Sequence, residues 1–241
     1  AGERQHDLLP TRQGESDLVY RNGAFYLYAT CHVEEPPPHD TNDYLGVDLG
    51  VVNIATDSDG EIFSGEEVEC ARQQYARMRA GLQRARTRSA RRQLKRMSKR
   101  EANFRKNTNH VISKRLVKKA GDTARGIALE ELSGICGRLT VRKSQRARHH
   151  GWSFYQLRQF VEYKARLAGV RVVTVDPRNT SRTRPSCGGI DKRNRPSQAE
   201  FRCVECGFSG HADHIAAGNI SARALVNAPM VAAPGTLWVR G

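Results

Sequence analysis

Acidic side chains are almost missing from one long stretch of this chain. Residues 71–120 hold one acid, Glu101, against 18 Lys or Arg. That stretch carries +17 while all 241 residues sum to +15, so the remainder carries the difference, −2. The imbalance argues against a solvated helix face, which would interleave both signs. It points to a polyanionic partner, and to binding that weakens steeply with salt as counterions are released. Most of these cations are Arg, whose planar fork grips a phosphate through two hydrogen bonds.

Long apolar runs are missing too. No window of 18 apolar residues occurs, so no segment reads as a membrane-spanning helix. The first residues, AGERQHDLLP, have neither a basic head nor an apolar stretch and do not read as a secretory signal. No internal repeat is visible. Cysteine is sparse: of six, Cys187, Cys203 and Cys206 cluster, while Cys31, Cys70 and Cys136 stand alone. In a basic, unsecreted chain the cluster suggests metal and not disulfides. The isolated three read as ordinary buried thiols.

Several elements are legible. Residues 18–33 read as a hairpin around Asn22-Gly23, and 34–43 as a Pro-rich acidic linker. YLGVDLGVVNIATDSDGEIFSG reads as three strands, with Gly50 and Asp59-Gly60 as turns. From Glu66 to Ala120 the pattern is helical with a thin apolar stripe: an arm or hairpin of helices standing partly off the core, its tip in RTRSAR. A strand at 126–132, a basic loop at 133–150, an amphipathic helix at 152–169 stopped by Gly169, and a strand at 170–177 follow. A cysteine knuckle, a helix beginning ADHIAAGNI and a loose tail complete the chain. This order suits an α/β, ribonuclease-H-like core with two insertions. The expected divisions are 1–43, 44–180 with a basic insert at 66–120, the knuckle at 181–210, the last helix at 211–225, and the tail at 226–241.

Three acids fall on strand ends or a helix start. Asp48 lies in an apolar strand, where an unpaired carboxylate is costly, and Gly46 and Gly50 leave room for a ligand near the backbone. Glu130 ends a second apolar strand, and Asp213 begins a helix. Taken singly each acid reads as structural, and Asp213 as an N-cap. Together, on a chain this basic, they fit two-metal phosphodiester hydrolysis, in which carboxylates gather two Mg²⁺ ions. His110 reads as a packing or phosphate-contact residue, His149 and His150 as weak ligand candidates, and Trp152, Phe154, Tyr155 and Phe160 as core. Asp176, before Pro177, reads as a loop or capping residue.

The segments GVDLGVVNIAT, RKNTNHVISKRLV, IALEELSGI, WSFYQLRQFVEYKARLAGVRVVTVDPRNTS, FRCVECG and HADHIAAGNI resemble the TnpB family over roughly residues 18–225. These are insertion-sequence proteins described as transposases and as RNA-guided nucleases with one RuvC site. The resemblance implies that Asp48, Glu130 and Asp213 form the RuvC triad and cut DNA with two Mg²⁺ ions. It implies that the basic helices hold a guide RNA–DNA duplex by its backbone. Arg84, Arg88, Arg91, Arg92, Lys95, Arg96, Lys99, Arg100, Arg105 and Lys106 are the candidate contacts. A prokaryotic cytoplasm, near the nucleoid, is the setting it implies.

Four departures stand out. Family members usually carry a longer N-terminal region, of which 18–33 matches the end. Glu131 stands where the family often has Asp or Asn, and Ile215 where it usually has Asn. The family knuckle sets two Cys-x-x-Cys pairs on zinc, but here Arg184 occupies the first ligand position, with Cys187, Cys203 and Cys206 remaining. His211 or His214 as a fourth zinc ligand, and a knuckle held by packing alone, are both open readings. A non-cleaving nucleic-acid-binding remnant or regulator is the alternative to the enzyme. A structure-selective nuclease working without guide RNA is a third reading.

Overall fold

The computed structural model describes residues 3–21, 23–131 and 154–227. The expected loop at 133–150 with His149 and His150, along with Cys136 and Trp152, lies outside these residues, as does the tail from 228. The chain forms two compact units, one through Pro37 and one from Pro38 onward.

The first unit holds a short helix, α1 (Glu3–Leu8), and a hairpin of β1 (Arg12–Arg21) and β2 (Ala24–Cys31). The register sets Leu18 against Leu27 and Tyr20 against Phe25. Gly23 adopts φ +83°, the left-handed conformation that a tight hairpin turn demands. β1 starts earlier than the apolar run suggests, because ladder pairing continues past an irregularity between Gln13 and Ser16.

The second unit is built on a five-stranded sheet of order β5-β4-β3-β6-β7. Its strands are β3 (Tyr44–Asp48), β4 (Asn53–Asp57), β5 (Ile62–Ser64), β6 (Gly126–Glu130) and β7 (Val172–Val175). The pairs β3–β6 and β6–β7 are parallel, and β3–β4 and β4–β5 antiparallel. Its helices are α2 (Glu66–Ala85), α3 (Arg88–Asp122), α4 (Phe154–Leu167) and α5 (Ala212–Asn227). Alternation along each strand sends side chains to opposite faces. Leu45, Val47, Ile127 and Leu129 pack in one core with residues of α3 and α4. Tyr44 and Ala128 pack on the other face with Ile220 and Ala224 of α5. Asp48 and Glu130 share the parity of Tyr44 and Ala128, so they face α5.

The helical insert folds as a hairpin whose tip falls within RTRSAR. Arg86 ends α2 in the left-handed region, and the Thr87 hydroxyl caps α3 by accepting from the Ala90 amide at 3.1 Å. In the distal half of α3 the buried residues are Ala90 and Met97. In the proximal half Asn109, Ile112, Ser113, Leu116, Val117 and Ala120 form a continuous buried stripe at helical spacing. The proximal half therefore belongs to the core, and the distal half with α2 forms the arm. Ion pairs fix the root of α3: Lys119 reaches Asp57, Asp59 and Glu61, and Arg125 grips both oxygens of Asp59 at 2.9 and 2.6 Å. The Arg125 hydrogen bond holds the Asp59 carboxyl below the usual carboxylate range.

Two packing expectations change. Cys70 is exposed, because the buried position of α2 is Val68, two residues round the helix. Tyr155 is exposed, because α4 turns the stripe Leu157, Val161 and Ala165 inward. His110 is a packing residue: its ring stacks on Phe160 at 3.9 Å between centroids.

Candidate active site

Asp48 and Glu130 end neighbouring parallel strands, directly beyond the paired residues Val47 and Leu129. Ligands in open α/β sheets meet the chain at this carboxyl edge. Asp213 arrives from the first turn of α5, which crosses the same face. The three predicted acids are thus brought together. They do not collapse onto one point: among the described residues only the cysteines below bring three donor atoms within 4.8 Å of one another.

The close approach of α5 depends on Gly46. A Cβ there would lie 2.0 Å from the Ala217 carbonyl oxygen and 2.6 Å from the Ser221 amide nitrogen. The space that the sequence suggests for a ligand is therefore filled by α5 itself. At Gly50 a Cβ would meet the Asn53 carbonyl oxygen at 2.7 Å, inside the β3–β4 turn. Both glycines serve backbone packing.

Each acid has a different environment. Asp48 receives no hydrogen bond from any described side chain. Burial, then repulsion from Glu130 and Asp213, pushes its carboxyl up to about 7, against the pull of Arg195. Burial also raises the Glu130 carboxyl, opposed first by the hydroxyl of Thr180, which donates to Oε1. Thr180 is held in turn by Asn219, whose amide donates to the Thr180 and Thr183 carbonyls at 2.7 and 2.8 Å. Asp213 does not cap its helix. Its Oδ2 accepts from Asn53 and its Oδ1 from Arg195, both at 2.9 Å.

The acids fit a hard divalent cation. Asp48 is a largely buried carboxylate with no described side chain donating to it, which is costly unless protonated or bound to a positive ion. An oxygen-only donor set from carboxylates suits Mg²⁺. Sequence reasoning missed Arg195, Asn53 and Thr180. Asn53 and Asp213 are 160 positions apart, Thr180 and Glu130 are 50, and Arg195 sits within an ordinary basic run, so no local pattern marks them. Asp176 accepts from the Arg178 amide at 2.9 Å and is a loop cap. Ile215 packs against Phe201, Cys203 and Ala212, so it faces the knuckle instead of the acids.

The knuckle joins β8 (Glu200–Arg202) and β9 (Ser209–His211) to a preceding turn at 183–190. The sulfurs of Cys187, Cys203 and Cys206 lie within 4.8 Å of one another. Neither His211 nor His214 joins them, and His214 Nε2 instead lies 3.1 Å from the Ser58 carbonyl. Arg184 stacks on Phe208 with its Cζ 3.5 Å from the ring centroid. Three sulfurs beside a guanidinium do not make the closed tetrahedral donor set of a structural zinc site.

The ten candidate nucleic-acid contacts all lie on α2 and α3. Arg84, Arg88, Arg91, Arg92, Lys95, Arg96, Lys99, Arg100 and Lys106 are exposed, and Arg105 is half-buried. Apart from Arg105, which has a partner, none of them enters an ion pair among the described residues. Glu101, the single acid of the stretch, is taken by Arg79 at 2.5 Å.

Comparison with known proteins gives two family profiles in tandem. One described as "Probable transposase" matches residues 28–132, and one described as "Cas12f1-like, TNB domain" matches residues 154–220. A CRISPR-associated endodeoxyribonuclease Cas12f2 of Micrarchaeota archaeon is 32% identical over 229 residues, covering 86% of this chain and 41% of that protein. A Cas12f1 of Sulfoacidibacillus thermotolerans is 40% identical over 121 residues, covering 50% of this chain and 27% of that protein. A TnpB-like protein of Methanocaldococcus jannaschii is 33% identical over 112 residues, covering 46% of this chain and 40% of its own. The chain spans less than half the length of these relatives. In fold it is similar to a Cas12f1 chain solved in complex with sgRNA and target DNA, at TM-score 0.59 and 19% identity, covering 83% of this chain and 54% of that one.

Proposed function

Because this chain belongs to the TnpB family, we propose that it acts as a transposon-encoded, RNA-guided DNA endonuclease with a ribonuclease-H-like RuvC site. The observation that carries this reading is the meeting of Asp48, Glu130 and Asp213 at the carboxyl edge of two parallel strands, with Asp48 unpaired among the described residues. These three acids would hold two Mg²⁺ ions. Magnesium, when bound, supplies the Lewis acid that activates water and offsets charge on the leaving oxygen. The chain's own part is positioning. Thr180 orients Glu130, and Asn53 with Arg195 fixes both oxygens of Asp213. The cations of α2 and α3 would hold the guide RNA–DNA duplex by its phosphates, leaving sequence to base pairing.

The test is Mg²⁺-dependent cleavage of single-stranded and duplex DNA, with copurified RNA retained and Asp48→Ala as control. Cleavage lost in the variant supports the reading. No cleavage by either protein, with salt-sensitive binding intact, favours the second reading, a nucleic-acid-binding protein that does not cut. The engagement of both Asp213 oxygens by protein groups is the observation on that side.

A further inference from the structure

The knuckle is two copies of one turn, and the copies differ at one position. In the second, Cys203 donates its amide to the Phe208 carbonyl at 2.8 Å, and the Gly207 amide donates to the Cys203 carbonyl at 3.0 Å. In the first, Arg184 donates its amide to the Gly189 carbonyl and the Gly188 amide donates to the Arg184 carbonyl, both at 2.9 Å. Gly188 and Gly207 share φ +72°. The flanking pairs also correspond: Thr183 with Ile190, and Arg202 with Ser209. Backbone geometry therefore makes Arg184 the counterpart of Cys203, as Cys187 is of Cys206. The turn that would present a fourth sulfur is intact and presents a guanidinium.

That guanidinium is built into the cluster. It sits over the Phe208 ring, with Cζ 3.5 Å from the centroid, on the turn opposite Cys203 and beside Cys206. Its Nε is buried with no acceptor among the described residues, so the group is held chiefly by the ring. Cys203, at the centre, is 2% exposed and packs with Phe201 and Ala212. We propose that Arg184 closes this knuckle without a metal, its fixed charge standing beside the sulfurs at the position from which the intact motif would present a fourth zinc ligand. The knuckle then keeps its shape, and the reach of Arg195 to Asp213, whatever the zinc supply.

Three measurements on the full chain test this. Zinc content after dialysis against a weak chelator is expected to be near zero for the native sequence and about one per chain for Arg184→Cys, which completes four thiolates. Melting of the native sequence is expected to be indifferent to EDTA, while that of Arg184→Cys falls. Iodoacetamide labelling of Cys203 is expected to quicken by at least about tenfold in Arg184→Met, which keeps length but loses charge and donor. Native protein retaining as much zinc as Arg184→Cys would overturn the proposal. So would Arg184→Cys gaining none, or Arg184→Met labelling at the native rate.

Discussion

Asp48 ends a strand whose other residues are buried, and no described side chain donates to it. Its carboxyl is raised from 3.8 to about 7, first by burial and then by its two acidic neighbours. Between those values the folded chain holds a proton that the unfolded chain has released. Stability contributed by this group therefore falls as pH rises through the window. In EDTA near pH 8, Asp48→Asn should be more stable than the native sequence by about 2 kcal/mol, with the gain vanishing near pH 4. Urea unfolding at the two pH values decides it, and equal stabilities at pH 8 would contradict the unpaired-acid account. Gly46 makes a second prediction at this scale. Gly46→Ala drives a methyl into the backbone of α5 and should cost more than about 2 kcal/mol. Gly81, on α2, has nothing within 4 Å of its would-be Cβ, so Gly81→Ala should stabilise by up to about 1 kcal/mol. Opposite signs in thermal melts separate a packing glycine from an incidental one.

At the scale of elements, α3 joins two roles in one 35-residue helix, about 52 Å long at 1.5 Å per residue. Helix was legible across residues 66–120, but the core role of the proximal half was not, because Asn109, Ser113 and Ala120 in its buried stripe thin the apolar pattern. The α2–α3 break has no strong marker in the sequence; in the fold it is set by the left-handed Arg86 and by the Thr87 cap. The ionic root was not legible, because Lys119 meets Asp57 and Glu61 across 62 and 58 positions. Lys119→Met would leave buried Asp57 with backbone donors only, from Asp59 at 3.0 Å and Glu61 at 2.9 Å, and should cost about 2 kcal/mol. Asp57→Asn with Lys119→Met should recover part of that loss, and an additive result would deny that the two residues are coupled. On the distal half, replacing Arg92, Lys95, Arg96 and Lys99 by Gln should weaken duplex binding at low salt. It should also flatten the slope of log K against log salt by about 0.9 for each phosphate contact removed. Unchanged circular dichroism would confirm that the helix survives.

For the whole molecule, charge and chemistry occupy different places in one unit. The +17 of residues 71–120 stands on α2 and α3, while the acids gather at the carboxyl edge of the sheet, in a remainder that carries −2. A phosphate backbone is attracted by the first region and, without a cation, repelled by the second. The sequence motifs named the three acids because each ends or starts an element. They could not name Arg195, Asn53 or Thr180, which reach the acids only through the folded topology. This separation predicts that binding and cutting come apart. Asp48→Asn should bind an RNA–DNA duplex at least as tightly as the native sequence in EDTA, since one negative charge is removed near the phosphates, while cleavage in Mg²⁺ is lost. The four-fold Gln variant of α3 should do the reverse: weaker binding, but the same pH-dependent stability signature from Asp48. Filter binding with a salt series, set beside urea unfolding across pH, reads both properties on the same two proteins. If Asp48→Asn lost binding, or the α3 variant lost the pH signature, the arm and the acids would be one coupled device and the division of labour argued from charge would fail.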